Sequence, residues 1–190
     1  KLPTILICGG SQGILSINDV LLSLNRLKVP IQVINICGHN KRIYKNIERK
    51  RSRYKFSLLN LNYTKRMSVL MDASDIIITK AGGLTLSESL VKGLGIVIVE
   101  PIPGQEERNT RYLLKHNVGI KINDIKELPS AVLNLIKDEK NLNYMRKNAL
   151  KIAKPNAADD ITKVVKQIIS EEKPEVSYDI YTGSKIGRYL

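Results

Sequence analysis

The sequence predicts an α/β fold, a Rossmann-like doubly wound parallel sheet. Three observations carry this. Short apolar runs of about four to six residues alternate with helical patterns of about ten to twelve. Two of the runs, DIIIT at 75–79 and IVIVE at 96–100, lack polar alternation, as strands covered on both faces do. Glycine-bearing turns follow three of the strands. Right-handed crossovers in such a sheet bring the C-terminal strand ends to one edge, where ligands bind.

The elements follow in order. TILICGG (4–10) reads as a strand ending in glycines, and a helix carries Ile17, Val20, Leu21, Leu24 and Leu27 before Pro30 closes it. IQVINICG (31–38) is the second strand, a basic helix follows, and YKFSLLNLN (54–62) is the third strand. TKRMSVLMDAS (64–74) is a short amphipathic helix, with Met67, Leu70 and Met71 at i, i+3 and i+4. After DIIIT come the helix TLSESLVKGLG (85–95), the strand IVIVE, the loop PIPGQ and the helix EERNTRYLLKHN (106–117). VGIKI (118–122) is a last strand, and helices fill 125–137, 142–153 and 157–169. The domain is expected to span residues 1–170. Beyond Ser170 the periodicity is lost, and 171–190 reads as an irregular tail.

The length fits one α/β domain with a tail or two very small domains, and an apolar share of 43% of the 190 residues fits a protein with a core. No apolar run approaches the ~18 residues that span a bilayer, and the start shows no signal-peptide pattern, so the expected location is cytoplasmic. Cys8 and Cys37 end apolar runs and fit buried reduced thiols. The balance of 31 Lys and Arg against 18 Asp and Glu leaves a net charge of +13. Eight of those cations lie in KRIYKNIERKRSRYK (41–55), opposed only by Glu48. A solvated helix face, a nucleic-acid footprint and an anionic membrane surface all remain open on charge alone.

Three turns carry polar chemistry. GGSQG (9–13) lies between a strand and a helix, where glycines admit a close ligand and helix-end amides favour phosphate. It is neither a GxGxxG fingerprint nor a P-loop. In TKAGGLTLSE (79–88), Gly82 and Gly83 form the turn and Thr85 and Glu88 follow. Thr-x-x-Glu is a capping box, and Glu88 also stands four residues before Lys92. The competing reading puts a phosphate on the amides after Gly83 and a ribose hydroxyl on Glu88. In PIPGQEERN (101–109), Gln105, Glu106 and Asn109 gather on the first helical turn and suit a neutral polyol such as a sugar. His39 ends a strand near the ligand edge, and His116 sits in the last turn of a helix. No metal cluster, Ser-His-Asp order or pair of carboxylates sharing a site is evident, so no catalytic residue or metal ligand is assigned.

Together GGSQG, residues 74–109 and LNYTKRM (61–67) resemble the C-terminal, nucleotide-sugar-binding domain of the processive diacylglycerol glycosyltransferases. That family includes the monogalactosyldiacylglycerol synthases and is related to the UDP-GlcNAc transferase that makes lipid II. The resemblance runs from about Leu2 to Ile169. It implies the GT-B fold and a UDP-sugar that is a substrate, with no cofactor. Gly10, Ser11 and Gly13 with Gly82, Gly83, Leu84 and Thr85 would face the diphosphate, and Glu88 the ribose. Gln105, Glu106 and Asn109 would meet the hexose, and backbone near Tyr63 and Thr64 the uracil. It also implies inverting transfer of glucose or galactose to a diacylglycerol-type lipid, with helix-end amides in place of a metal. No Asp-x-Asp triplet occurs, in agreement.

Members of this family have two domains, and the acceptor site and catalytic base belong to the N-terminal one. Here the chain starts at what would be the first strand of the second domain. It is expected to be a piece of a longer enzyme or the donor half of a split one, inactive alone. By the resemblance, the basic helix meets an anionic membrane at the inner face of the cell membrane, and nucleic acid is not a partner. The alternatives are the donor subunit of a split UDP-GlcNAc transferase, a UDP-GlcNAc epimerase-like protein, and a dinucleotide- or nucleic-acid-binding module. The missing GxGxxG and the lack of an acidic residue after the second strand stand against the dinucleotide reading.

Overall fold

A computed structural model of the chain describes residues 2–9 and 16–170. Six parallel strands form one sheet: β1 (Thr4–Cys8), β2 (Gln32–Ile36), β3 (Ser57–Leu61), β4 (Ile76–Thr79), β5 (Gly95–Val99) and β6 (Gly119–Ile122). Their order is β3-β2-β1-β4-β5-β6. The direction of winding reverses between β1 and β4, which opens the crevice used by ligands in this class of sheet.

Alternate residues of β1, β4 and β5 feed two separate cores, which is why these apolar runs show no polar alternation. Ile5, Ile7, Ile76, Ile78, Val97 and Val99 face one layer, while Leu6, Cys8, Ile77, Ile96 and Ile98 face the other. The first layer holds α1 (Ile17–Leu24), α2 (Lys41–Arg49) and α6 (Leu128–Lys137). The second holds α3 (Met67–Asp72), α4 (Gly83–Val91) and α5 (Gln105–Lys115). Helix α7 (Glu139–Ile152) serves both, giving Leu142 and Met145 to the first and Ala149 to the second. Its Arg146 pairs with Asp75 at 3.1 Å, and the second carboxylate oxygen of Asp75 accepts from Thr4 N at 2.9 Å. α1 stops at Leu24, short of the expected Leu27, because Asn25 leaves the helix to serve the chain at Arg53 and Lys55.

The basic helix α2 buries only Ile47. Its firmer attachment is polar. The buried Asn60 on β3 accepts from Asn35 at 2.8 Å and donates to Glu48 Oε1 at 2.9 Å and to the Tyr44 carbonyl at 3.3 Å. Glu48 is held also by Arg51, whose other nitrogen donates to the Leu58 carbonyl. The lone acid of the basic run is thus spent inward. Cys8 and Cys37 are buried and neither forms a disulfide. Burial, with the Glu48 charge adding to it, pushes the Cys37 thiol from 9.0 up to about 11, against a hydrogen bond from Asn35.

The described residues divide into two units, one ending at Ala153 and one beginning at Lys154. The second contributes α8 (Ala157–Ser170), an amphipathic helix whose Ile161, Val164, Val165, Ile168 and Ile169 are exposed. The expected tail at 171–190 lies outside the described residues. Among those described, no helix is long and apolar enough to cross a membrane.

Two stability measurements probe the polar anchor. Asn60→Leu removes the oxygen that accepts from the buried Asn35 amide and the donor to Glu48, which keeps Arg51, and should cost about 2 kcal/mol in urea unfolding, with an unchanged m-value. A change that cost nothing would show that α2 is held by its other contacts, Ile43, Tyr44 and Ile47 on the core and Asn46 on Asn18. Because the folded Cys37 pKa is raised, its contribution is complete below about pH 9 and is lost as pH rises through about 11. Cys37→Ala should therefore flatten the alkaline fall in stability, and an unchanged slope would assign that fall elsewhere.

Candidate functional site

The C-terminal strand ends bring two of the three predicted turns, those after β4 and β5, to one edge. The most informative is the start of α4. The helix begins at Gly83 with Gly82 as its N-cap (φ −70°, ψ 130°), and no side chain caps it. Its first backbone bond runs from Leu86 N to the Gly82 carbonyl at 3.0 Å. The amides of Gly83, Leu84 and Thr85 therefore have no acceptor among the described residues, as the geometry of a helix N-terminus dictates. Those donors and the helix dipole make a place for an anion.

This start corrects the capping-box expectation. Thr85 is the third residue inside the helix and not its cap, so Thr85 and Glu88 cannot satisfy each other's amides in that motif. The expected Glu88–Lys92 pair is also absent, because Lys92 reaches Asp72 at 2.7 Å. Glu88 is left exposed one turn into the helix, with no partner among the described residues. A Cβ at Gly82 or Gly83 would meet nothing within 4 Å, and neither residue has a positive φ. The missing side chains thus serve neither packing nor a special turn; they leave space in front of the amides. Leu84, the next residue, is 84% exposed.

The β5–α5 loop is built differently. Gly104, at φ 95°, is the N-cap of α5, a conformation that demands glycine. Glu106 folds back and accepts from Ile102 N at 2.7 Å, closing the loop on itself. Asn109 donates from Nδ2 to the Ala81 carbonyl at 2.8 Å, which fastens α5 to the turn before α4. Gln105 is exposed at the helix start. Asn109 and Glu106 are therefore part of the frame, each with one side-chain oxygen left over, and Gln105 is uncommitted.

Tyr63, in the turn after β3, is 51% exposed and stacks on His39, from the turn after β2, with ring centroids 4.4 Å apart and planes 14° from parallel. Thr64 Oγ accepts from Arg66 N at 3.0 Å and sets that turn. His39 was not among the expected ligand residues. Its only signal in the sequence was a place at a strand end. His116 caps the C-terminus of α5, as its position suggested, and packs on Tyr112.

Glu100 is a second residue that sequence reasoning missed. It has φ 47° at the end of β5, uncommon for a residue with a side chain. Its carboxylate accepts from Ser16 N at 3.3 Å and so ties the β5 edge to the start of α1. A cleft of about 520 Å³ opens beside it, lined in part by Glu107, Lys121, Asn123 and Asp124. Gly10, Ser11 and Gly13 lie outside the described residues. Among the described residues, no group of three or more His, Cys, Asp or Glu is placed to hold a metal ion.

Residues 4–165 match the glycosyltransferase family 28 C-terminal domain. The processive diacylglycerol β-glucosyltransferase of Bacillus licheniformis is 32% identical over 175 residues, covering 90% of this chain and 46% of that protein. Monogalactosyldiacylglycerol synthase 3 of Arabidopsis thaliana, a chloroplastic protein, is 32% identical over 181 residues, covering 91% and 38%. The chain thus spans less than half the length of these curated relatives. Among solved structures, MurG of Acinetobacter baumannii matches with a TM-score of 0.72 at 23% identity, over 88% of this chain and 50% of that one. Anabaena HepE, in complex with UDP and glucose, gives 0.66 at 15% identity, over 90% and 48%. These likenesses concern the fold, which is shared with the GT-B glycosyltransferases. By its sequence match and by the sheet it folds into, the chain belongs to the glycosyltransferase family 28 C-terminal domain.

Proposed function

We propose that the chain is the donor-binding half of an inverting glycosyltransferase that moves a hexose from a UDP-sugar to a diacylglycerol-type lipid. The observation that carries this reading is the uncapped start of α4, with three amides that have no partner among the described residues, behind two glycines with none of those residues close by. The diphosphate sits on the amides of Gly83, Leu84 and Thr85, and Gly10, Ser11 and Gly13 approach it from the first turn. Glu88 accepts from the ribose. Gln105 and the remaining oxygens of Glu106 and Asn109 meet the hexose. The Tyr63–Thr64 turn receives the uracil, with His39 behind the Tyr63 ring.

In the reaction, the acceptor hydroxyl oxygen bonds to the anomeric carbon as the bond from that carbon to the UDP oxygen breaks, with inversion. The proton passes to a base in the acceptor half, and the leaving charge is met by helix-end amides already oriented for it, without a metal. The names of the relatives support a lipid acceptor, since they are diacylglycerol glucosyltransferases and galactolipid synthases. An enzyme with such an acceptor works as a peripheral protein at a membrane, and we place it at the inner, cytoplasmic face.

UDP at a hundredfold excess over Kd should stabilise the chain by about 2.7 kcal/mol, seen as a rise of about 5 °C in Tm, and NADH should not. Gly83→Val should keep the ligand-free Tm, because no protein atom is near, and weaken UDP at least tenfold. His39→Ala should weaken UDP about threefold to tenfold, the worth of one aromatic stack. Stabilisation by NADH and not by UDP would overturn the reading. The chain alone should transfer no sugar to diacylglycerol, and product from the isolated chain would refute the missing-base argument.

A further inference from the structure

A second basic feature joins the α1–β2 connection to the turn before α6 and to α6 itself. The connection from α1 to β2 (25–31) enters the sheet at its N-terminal edge, opposite the donor site. Together with α6 it forms a groove of about 380 Å³. Its rim carries Arg26, Lys28, Lys126 and Lys137, all exposed, and its floor includes Val29 and Leu133. No carboxylate lines it. Two neighbouring acids are turned to other work, Asp124 accepting from Lys126 N and Asp138 from Asn141 N, each at 2.9 Å.

The groove is continuous with the basic run. Asn25, in the same connection, donates to the Arg53 carbonyl and accepts from Lys55 N, both at 2.9 Å. That stitch sets Arg53 and Lys55 beside Arg26 and Lys28. With Glu48 drawn inward by Asn60 and Arg51, the cations on the surface from α2 around to α6 outnumber its exposed acids, Asp19 and Glu127. We propose that this groove seats the phosphate headgroup of an acidic phospholipid, and that the joined face docks the protein on an anionic bilayer independently of the donor site. A cationic rim over an apolar floor matches a phosphodiester with the start of its acyl chains, while a purely electrostatic surface would not need the floor. The lipid as partner rests on the proposed function; the location and chemistry of the groove do not.

Flotation of the full chain with vesicles of phosphatidylcholine, with and without one-third phosphatidylglycerol, tests this. Wild type should bind only the anionic vesicles. The triple variant Lys28→Gln, Lys126→Gln, Lys137→Gln should bind them at least tenfold more weakly and keep its UDP-induced Tm shift. A control that removes the same charge elsewhere, Lys115→Gln, Lys140→Gln, Lys147→Gln, should lose less than threefold. Equal losses would reduce the effect to net charge and overturn the site. Release from vesicles by millimolar glycerol phosphate would reassign the groove to a soluble phosphate ester. Tighter binding to single-stranded RNA than to the vesicles, lost in the groove variant, would reassign the face to nucleic acid. A wild type that floats without responding to UDP would refute the donor reading and leave the groove standing.

Discussion

Everything at the candidate site depends on a sheet that is covered on both faces. Residues 76–79 and 95–99 can bury both sides only if helices return above and below, and each return brings the next strand in parallel. All six C-terminal strand ends must then share one edge. The turns holding Gly82, Tyr63, His39 and Gln105 are far apart in sequence and are neighbours for that reason alone. The core therefore decides where binding chemistry is placed, and the turns decide what it is.

At that edge the frame and the ligand groups are separate. Asn109 and Glu106 hold loops in place, the first by bracing α5 against the Ala81 carbonyl, the second by closing its own loop over Gly104. Glu100 braces the start of α1 from a backbone conformation that carries strain. Among the described residues, the groups there left without protein partners are the α4 amides, Glu88 and Gln105. A donor site needs that division, because amides fixed by a helix do not have to be reoriented when charge develops on a leaving diphosphate.

The strands and most helices were legible because burial on two faces writes unbroken apolar runs, and helices write their own period. The start of α4 was not. Thr85 and Glu88 have the spacing of a capping box, but Gly82 can begin the helix earlier, since a main-chain N-cap needs no side chain and leaves the amides open. Lys92 was read against Glu88 at i+4, whereas its partner is Asp72, twenty residues earlier and outside any local pattern. His39 and Glu100 were missed for the same reason. Their contacts, to Tyr63 and Ser16, cross between strands, and only the strand order reveals them.

Helix α2 links the two binding surfaces. Its N-terminus follows the turn that carries His39, while its far end runs through Arg51 and Arg53 to the stitch at Asn25. A helix this basic repels itself and buries one side chain, so it would fray if only Ile47 held it. The Asn35–Asn60–Glu48 chain replaces missing apolar area with directional bonds, and such bonds fix rotation about the helix axis as apolar packing does not. The cations thereby acquire a fixed direction, outward from the first layer. A donor edge and a charged face set at a constant angle are what orientation at a surface requires, and here the buried Asn60 on β3 and the Asn46–Asn18 bond to α1 together hold that angle.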